Sequence, residues 1–98
     1  MYVVLFAVDS ASSKRRILKY VVDTFGGYSL TTMQGGWYDS CSKCVIEEPS
    51  YKLEIITSWS RLRNKVEDEI KLLCEFIKKI ACQSEVYYYE LDVKIKVV

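Results

Sequence analysis

The chain has 98 residues, half of them apolar and 28% charged, and carries a net charge of +1. That suits one domain spanning residues 1–98 around one core, and it excludes a disordered chain. It also excludes a global field that would gather nucleic acid or an anionic membrane, and no apolar run approaches the ~18–20 residues of a bilayer span.

Residues 2–8 form a continuous apolar run rich in valine and aromatics, the pattern of a central strand buried on both faces. The run lacks the basic n-region of a signal peptide, so a cytoplasmic protein is expected. Asp9, Ser10, Ser12 and Ser13 then offer N-cap oxygens to a first helix whose apolar stripe is Ile17, Leu18, Val21, Val22 and Phe25. Gly26 closes it as a C-cap glycine would.

All four glycines lie in one stretch, as the pairs Gly26-Gly27 and Gly35-Gly36. Between and beyond them, residues 28–38 read as a second strand with a bulge at Gly35-Gly36, where Trp37 and Tyr38 cover the bend or line a pocket. Residues 39–43 are a turn. Residues 44–57 form a third strand interrupted near Pro49, which suggests a bulge or an edge. Thr57, Ser58 and Ser60 can cap a long second helix over 60–82, with a core stripe of Leu62, Val66, Ile70, Leu73, Cys74, Ile77 and Ile80 or Ala81. The last strand, 85–98, alternates. If Tyr87, Tyr89, Leu91, Val93, Ile95 and Val97 face the helices, Tyr88, Glu90, Lys94 and Lys96 lie on the opposite, open face.

The order β-α-β-β-α-β, with right-handed crossovers and a hairpin between the middle strands, predicts an α+β, ferredoxin-like sandwich. Two helices cover one face of a four-stranded antiparallel sheet.

Four constellations bear on function. Cys41-Ser-Lys-Cys44 has the spacing of half a zinc knuckle, and the second helix is expected to bring Cys82 toward the same end of the sheet. No histidine exists and Cys74 falls in the core stripe, so the thiols are read as incidental, with no metal and no cofactor. Lys14, Arg15 and Arg16 at the start of the first helix read either as an anion contact or as a solvated helix face. Glu47 and Glu48 are adjacent on a strand, point to opposite faces, and are poorly placed to act as a pair. The eight tyrosines and two tryptophans, with Tyr88 on the open face, read as a protein interface or as stacking platforms.

With no histidine and no nucleophile–base couple, the chain reads as non-enzymatic. The expected function is a small binding module, acting by protein–protein contact or ligand sequestration. Gly35, Gly36, Trp37 and Tyr38 would be its contact site and Lys14, Arg15, Arg16 and Tyr88 further candidates. The expected partners are a protein or a small anionic ligand, with a homodimer formed through the open sheet face or an edge strand and no membrane contact. The alternative is a nucleotide or nucleic-acid binder using the basic helix start and exposed tyrosines. A third reading is a small enzyme acting on a phosphorylated substrate by Lys and Arg electrostatics alone.

The segments Phe25-Gly26-Gly27-Tyr28-Ser29, Gly35-Gly36-Trp37-Tyr38 and Ile46-Glu47-Glu48-Pro49-Ser50-Tyr51 resemble a pattern of small, uncharacterised ferredoxin-like proteins of bacteria and their phages. The resemblance covers the middle of the chain and leaves out the paired cysteines. It implies the same fold and an accessory protein, phage-borne or of another mobile element, acting by binding.

Overall fold

A computed structural model describes residues 1–56, 63–93, 96 and 98, and their side chains except those of 37, 39, 46–48, 63 and 64. The elements are β1 (Tyr2–Ala7), α1 (Ala11–Phe25), β2 (Ser29–Asp39), β3 (Cys44–Ile55), α2 (Arg63–Ile80) and β4 (Tyr87–Glu90). The strands form one antiparallel sheet in the order β2-β3-β1-β4, the ferredoxin-like arrangement.

Strand β1 is central, buried on its helix side, while on the other face Val3 is buried and Leu5 and Ala7 are half-buried, so the expected burial on both faces holds only in part. Tyr2, Val4, Phe6 and Val8 enter the core with Leu53 and Ile55 of β3. Val3 points the other way, between its cross-strand neighbours Glu54 and Tyr89, and is also fully buried. Ser10 caps α1, its hydroxyl accepting from the Ser13 N–H at 3.3 Å. The helix ends at Gly26, whose left-handed φ of 92° lets its N–H reach Val22 O at 2.9 Å. Ile17 and Val21 are buried, while Val22, expected in the stripe, is exposed.

Helix α2 buries Val66, Ile70, Leu73, Cys74 and Ile77. Its expected cap at 57–60 and the stripe residue Leu62 lie outside the described residues. Tyr20 of α1 stacks on Phe76 of α2 with centroids 4.6 Å apart. The helix closes through Gln83, whose N–H bonds to Lys78 O at 3.1 Å across a left-handed Cys82 (φ 53°). Lys78 and Lys79 in the last turn suit the helix dipole there.

Three expectations are corrected. The β2–β3 register runs one to one from Ser29↔Glu54 to Asp39↔Cys44, so there is no bulge at Gly35-Gly36 and no interruption at Pro49. Pro49 falls just beyond Ser50, the last β3 residue paired with β1, where β3 has become an edge and tolerates proline. The last strand is only Tyr87–Glu90, because its partner β1 begins at Tyr2. One further rung joins Leu91 and Met1, at 2.8 and 3.2 Å.

Beyond the reach of β1, β2 and β3 continue as a free two-stranded arm that gives the molecule its elongated outline of 48 × 24 × 24 Å. No helix among the described residues is long and apolar enough to cross a membrane.

Candidate functional site

The sheet face away from the helices is set by alternation. Because Val4, on the helix side, pairs with Tyr88, the neighbours Leu5 and Tyr87 must share the open side. By the same rule Ala7 and Ser50, and then Met33, fall on that side. Over these residues lies a cavity of about 760 Å³. Its floor is Leu5, Ala7, Met33 and Ser50, the strand backbone at Gly35 and Gly36 forms one side, and residues 82–85 with Tyr87 form the other.

Gly35 holds this site open. A Cβ there would lie 2.5 Å from Ser50 Oγ and 3.3 Å from Ser50 Cβ. Gly35 therefore marks close approach rather than a bulge. Gly35 and Gly36 both line the cavity, as does Cys82 from the opposite wall.

Among the described side chains the wall carries one carboxylate. Glu85 accepts a hydrogen bond from the Tyr87 hydroxyl. That bond, then the carboxylate charge, pushes the Tyr87 pKa above its ordinary value. The pair presents a carboxylate and an aromatic ring at the cavity rim, a combination that attracts cations.

Other sequence candidates lie elsewhere. Tyr88, expected on the open face, packs on the helix side against the core and donates to Glu67 Oε1 of α2 at 3.3 Å. Its pKa is raised by burial first and by Glu67 second. The open-face tyrosines are Tyr87 and Tyr89, which cross-strand parity with the helix-facing Val4 would have identified. Lys14 places its ammonium 4.6 Å from the centroid of the Tyr51 ring, which itself leans on Phe6 at 5.5 Å. Arg15 and Arg16 are exposed beside it. This basic helix start is on the helix side of the sheet, across from the cavity. Trp37 and Tyr38 continue β2 into the arm, opposite Ile46 and Val45, with Tyr38 exposed. Lys94 lies outside the described residues.

Cys74 is a core thiol, its pKa pushed up to about 11 by burial and then by Glu75. Cys41, Cys44 and Cys82 are exposed. Among the described residues no three or more Cys, Asp or Glu gather where they could hold a metal ion.

No protein-family profile matches the chain, and no curated protein matches it by sequence. Solved structures do match. A phage SAM lyase in complex with S-methyl-5′-thioadenosine superposes with a TM-score of 0.70 at 11% identity, covering 89% of this chain and 75% of its own. The divalent cation tolerance protein CutA1 of Thermus thermophilus gives 0.64 at 18%, covering 97% and 88%. A DUF3240-family protein of Shewanella baltica gives 0.52 at 12%, covering 99% and 92%. These are small proteins of one ferredoxin-like fold.

The likeness overturns the expectation of a non-enzymatic binding module. That expectation rested on the missing histidine and the missing nucleophile–base couple. A lyase on the same architecture shows that this fold supports catalysis.

Proposed function

We propose that the chain is an enzyme that binds an adenosyl sulfonium of the S-adenosylmethionine class in the open-face cavity and cleaves a carbon–sulfur bond, releasing a neutral thioether. The observation that carries the reading is the make-up of the cavity. Its about 760 Å³ suits a small molecule, its floor includes Leu5, Ala7 and Met33, and among the described side chains Glu85 supplies the carboxylate of its lining.

Such a site fits a reaction in which the substrate supplies its own nucleophile. The α-carboxylate of S-adenosylmethionine attacks its own γ-carbon, the Cγ–S bond breaks, and the electron pair returns to sulfur. The products are a five-membered amino lactone and S-methyl-5′-thioadenosine. No proton is needed by the leaving group, and no side chain acts as nucleophile. The step annihilates a positive and a negative charge, so an apolar floor that strips water from both favours it. Gly35 and Gly36 admit the ligand against the strand backbone, and Glu85 with Tyr87 favours the cation at the rim. The residues act as one domain, consistent with the resemblance to small phage and bacterial proteins and with a cytoplasmic supply of the substrate.

The protein is further proposed to work as a homo-oligomer. Tyr89, Leu91 and Val93 are exposed along the β4 side, and Tyr38 and Val45 on the arm. A two-stranded ribbon alone in water is marginally stable, so a second copy is the natural cover for these surfaces.

Thermal-shift and calorimetric titrations test the site. S-adenosylmethionine and S-methyl-5′-thioadenosine are expected to raise the melting temperature, adenosine less so. No shift with either sulfur nucleoside would remove the reading.

A further inference from the structure

The tip of the β2–β3 arm carries chemistry that the cavity does not use. Asp39↔Cys44 is the last rung of the ribbon, and residues 40–43 make the turn. Lys43 is left-handed, with φ 55°, and sits between two exposed cysteines, Cys41 and Cys44. The Ser42 hydroxyl lies 3.0 Å from Cys44 Sγ. Two cysteines at this spacing on a tight turn chelate a single tetrahedral thiophilic ion, each supplying one thiolate. One tip provides only half of the four ligands. Among the described residues no third metal-binding side chain joins the pair.

We propose that two copies of this chain meet arm tip to arm tip around one zinc ion, held by Cys41 and Cys44 of each. A zinc ion with four thiolates carries −2, and two tips bring two Lys43 ammonium groups. The Ser42 hydroxyl donates to the Cys44 thiolate, the kind of outer hydrogen bond that fixes a metal ligand. Tyr38 and Val45, 63% and 65% exposed on the flanking rungs, supply apolar surface for the second arm to cover. Binding involves no change in oxidation state.

The experiment uses the full chain, stripped with a chelator and kept reduced by a phosphine. Zinc chloride is added at neutral pH, bound metal is measured by elemental mass spectrometry, and mass by sedimentation. The expected result is one zinc per two chains and a doubling of the mass of the metal-free species. Cobalt(II) in place of zinc should give the intense visible bands of a tetrahedral tetrathiolate. Cys41→Ser and Cys44→Ser should each abolish uptake and doubling, whereas Cys82→Ser should leave both. Far-ultraviolet circular dichroism of each variant confirms folding, since Cys41 lies on the turn, Cys44 begins β3 beside it, and both are exposed. Zinc uptake that survives Cys41→Ser, uptake lost in Cys82→Ser, or no uptake by the reduced protein would each overturn the proposal.

Discussion

A Cβ on Gly35 would stand 2.5 Å from the hydroxyl oxygen of Ser50, so the cavity side exists because β2 carries no side chain at that position. The two residues sit on adjacent strands, on the same face, one diagonal step apart in the register. Gly35→Ala therefore pushes the Ser50 hydroxyl aside and fills the space next to it. Turnover is expected to drop about tenfold, while stability stays within about 1 kcal/mol, because alanine in a strand recovers ~0.5–1 kcal/mol of backbone entropy. Adding Ser50→Ala should restore part of the activity. Chemical denaturation and turnover measured on the same samples separate the two effects.

The Glu85–Tyr87 pair makes a different claim, about charge. If the rim reads a sulfonium, Glu85→Gln weakens S-adenosylmethionine binding about tenfold and leaves the neutral S-methyl-5′-thioadenosine unchanged. Calorimetric titration of both ligands on both proteins checks this. Equal losses for the two ligands would mean that Glu85 shapes the cavity without sensing charge.

Tyr88 tests the sheet faces. Tyr88→Phe removes one hydroxyl bonded to Glu67 and should lower the melting temperature slightly with no effect on ligand binding. Tyr88→Ala also empties a place against the core and should lower the melting temperature considerably more. A loss of ligand affinity in Tyr88→Phe would contradict its place on the helix side.

Cys74 gives a pH dependence with a definite sign. Burial raises its pKa from 9.0 to about 11 in the folded state. Below pH 9 both states hold the proton and stability is full. Between pH 9 and about 11 the unfolded thiol ionises while the folded one does not, so stability falls across that window. Urea denaturation at pH 8 and pH 10.5 should show a larger decline for the wild type than for Cys74→Ala. Equal declines would show that the thiol is not buried.

Much of the fold was legible because it rests on local signals. The Val-rich run at 2–8 and the helical stripe from Val66 to Ile77 mark buried faces by period alone, and Ser10 and Gly26 mark the ends of α1. The faces of β4 were not legible, because Tyr87-Tyr88-Tyr89 offers aromatics to both sides and only pairing with β1 decides between them. Gly35-Gly36 was visible as a special backbone position, but a bulge and a close approach leave the same mark. The cavity itself joins 5–7, 33–36, 50 and 82–87, segments that only tertiary structure brings together. The absent histidine argued against catalysis only on the assumption that the protein must supply the nucleophile.

The most direct test of the central claim is a time course of purified protein with S-adenosylmethionine at neutral pH, the products separated by chromatography and identified by mass. The expected result is S-methyl-5′-thioadenosine formed with multiple turnovers, accompanied by an equal amount of amino lactone or its hydrolysis product. Gly35→Ala should form it about tenfold more slowly. S-adenosylmethionine that remains at the level of a protein-free control would contradict the account.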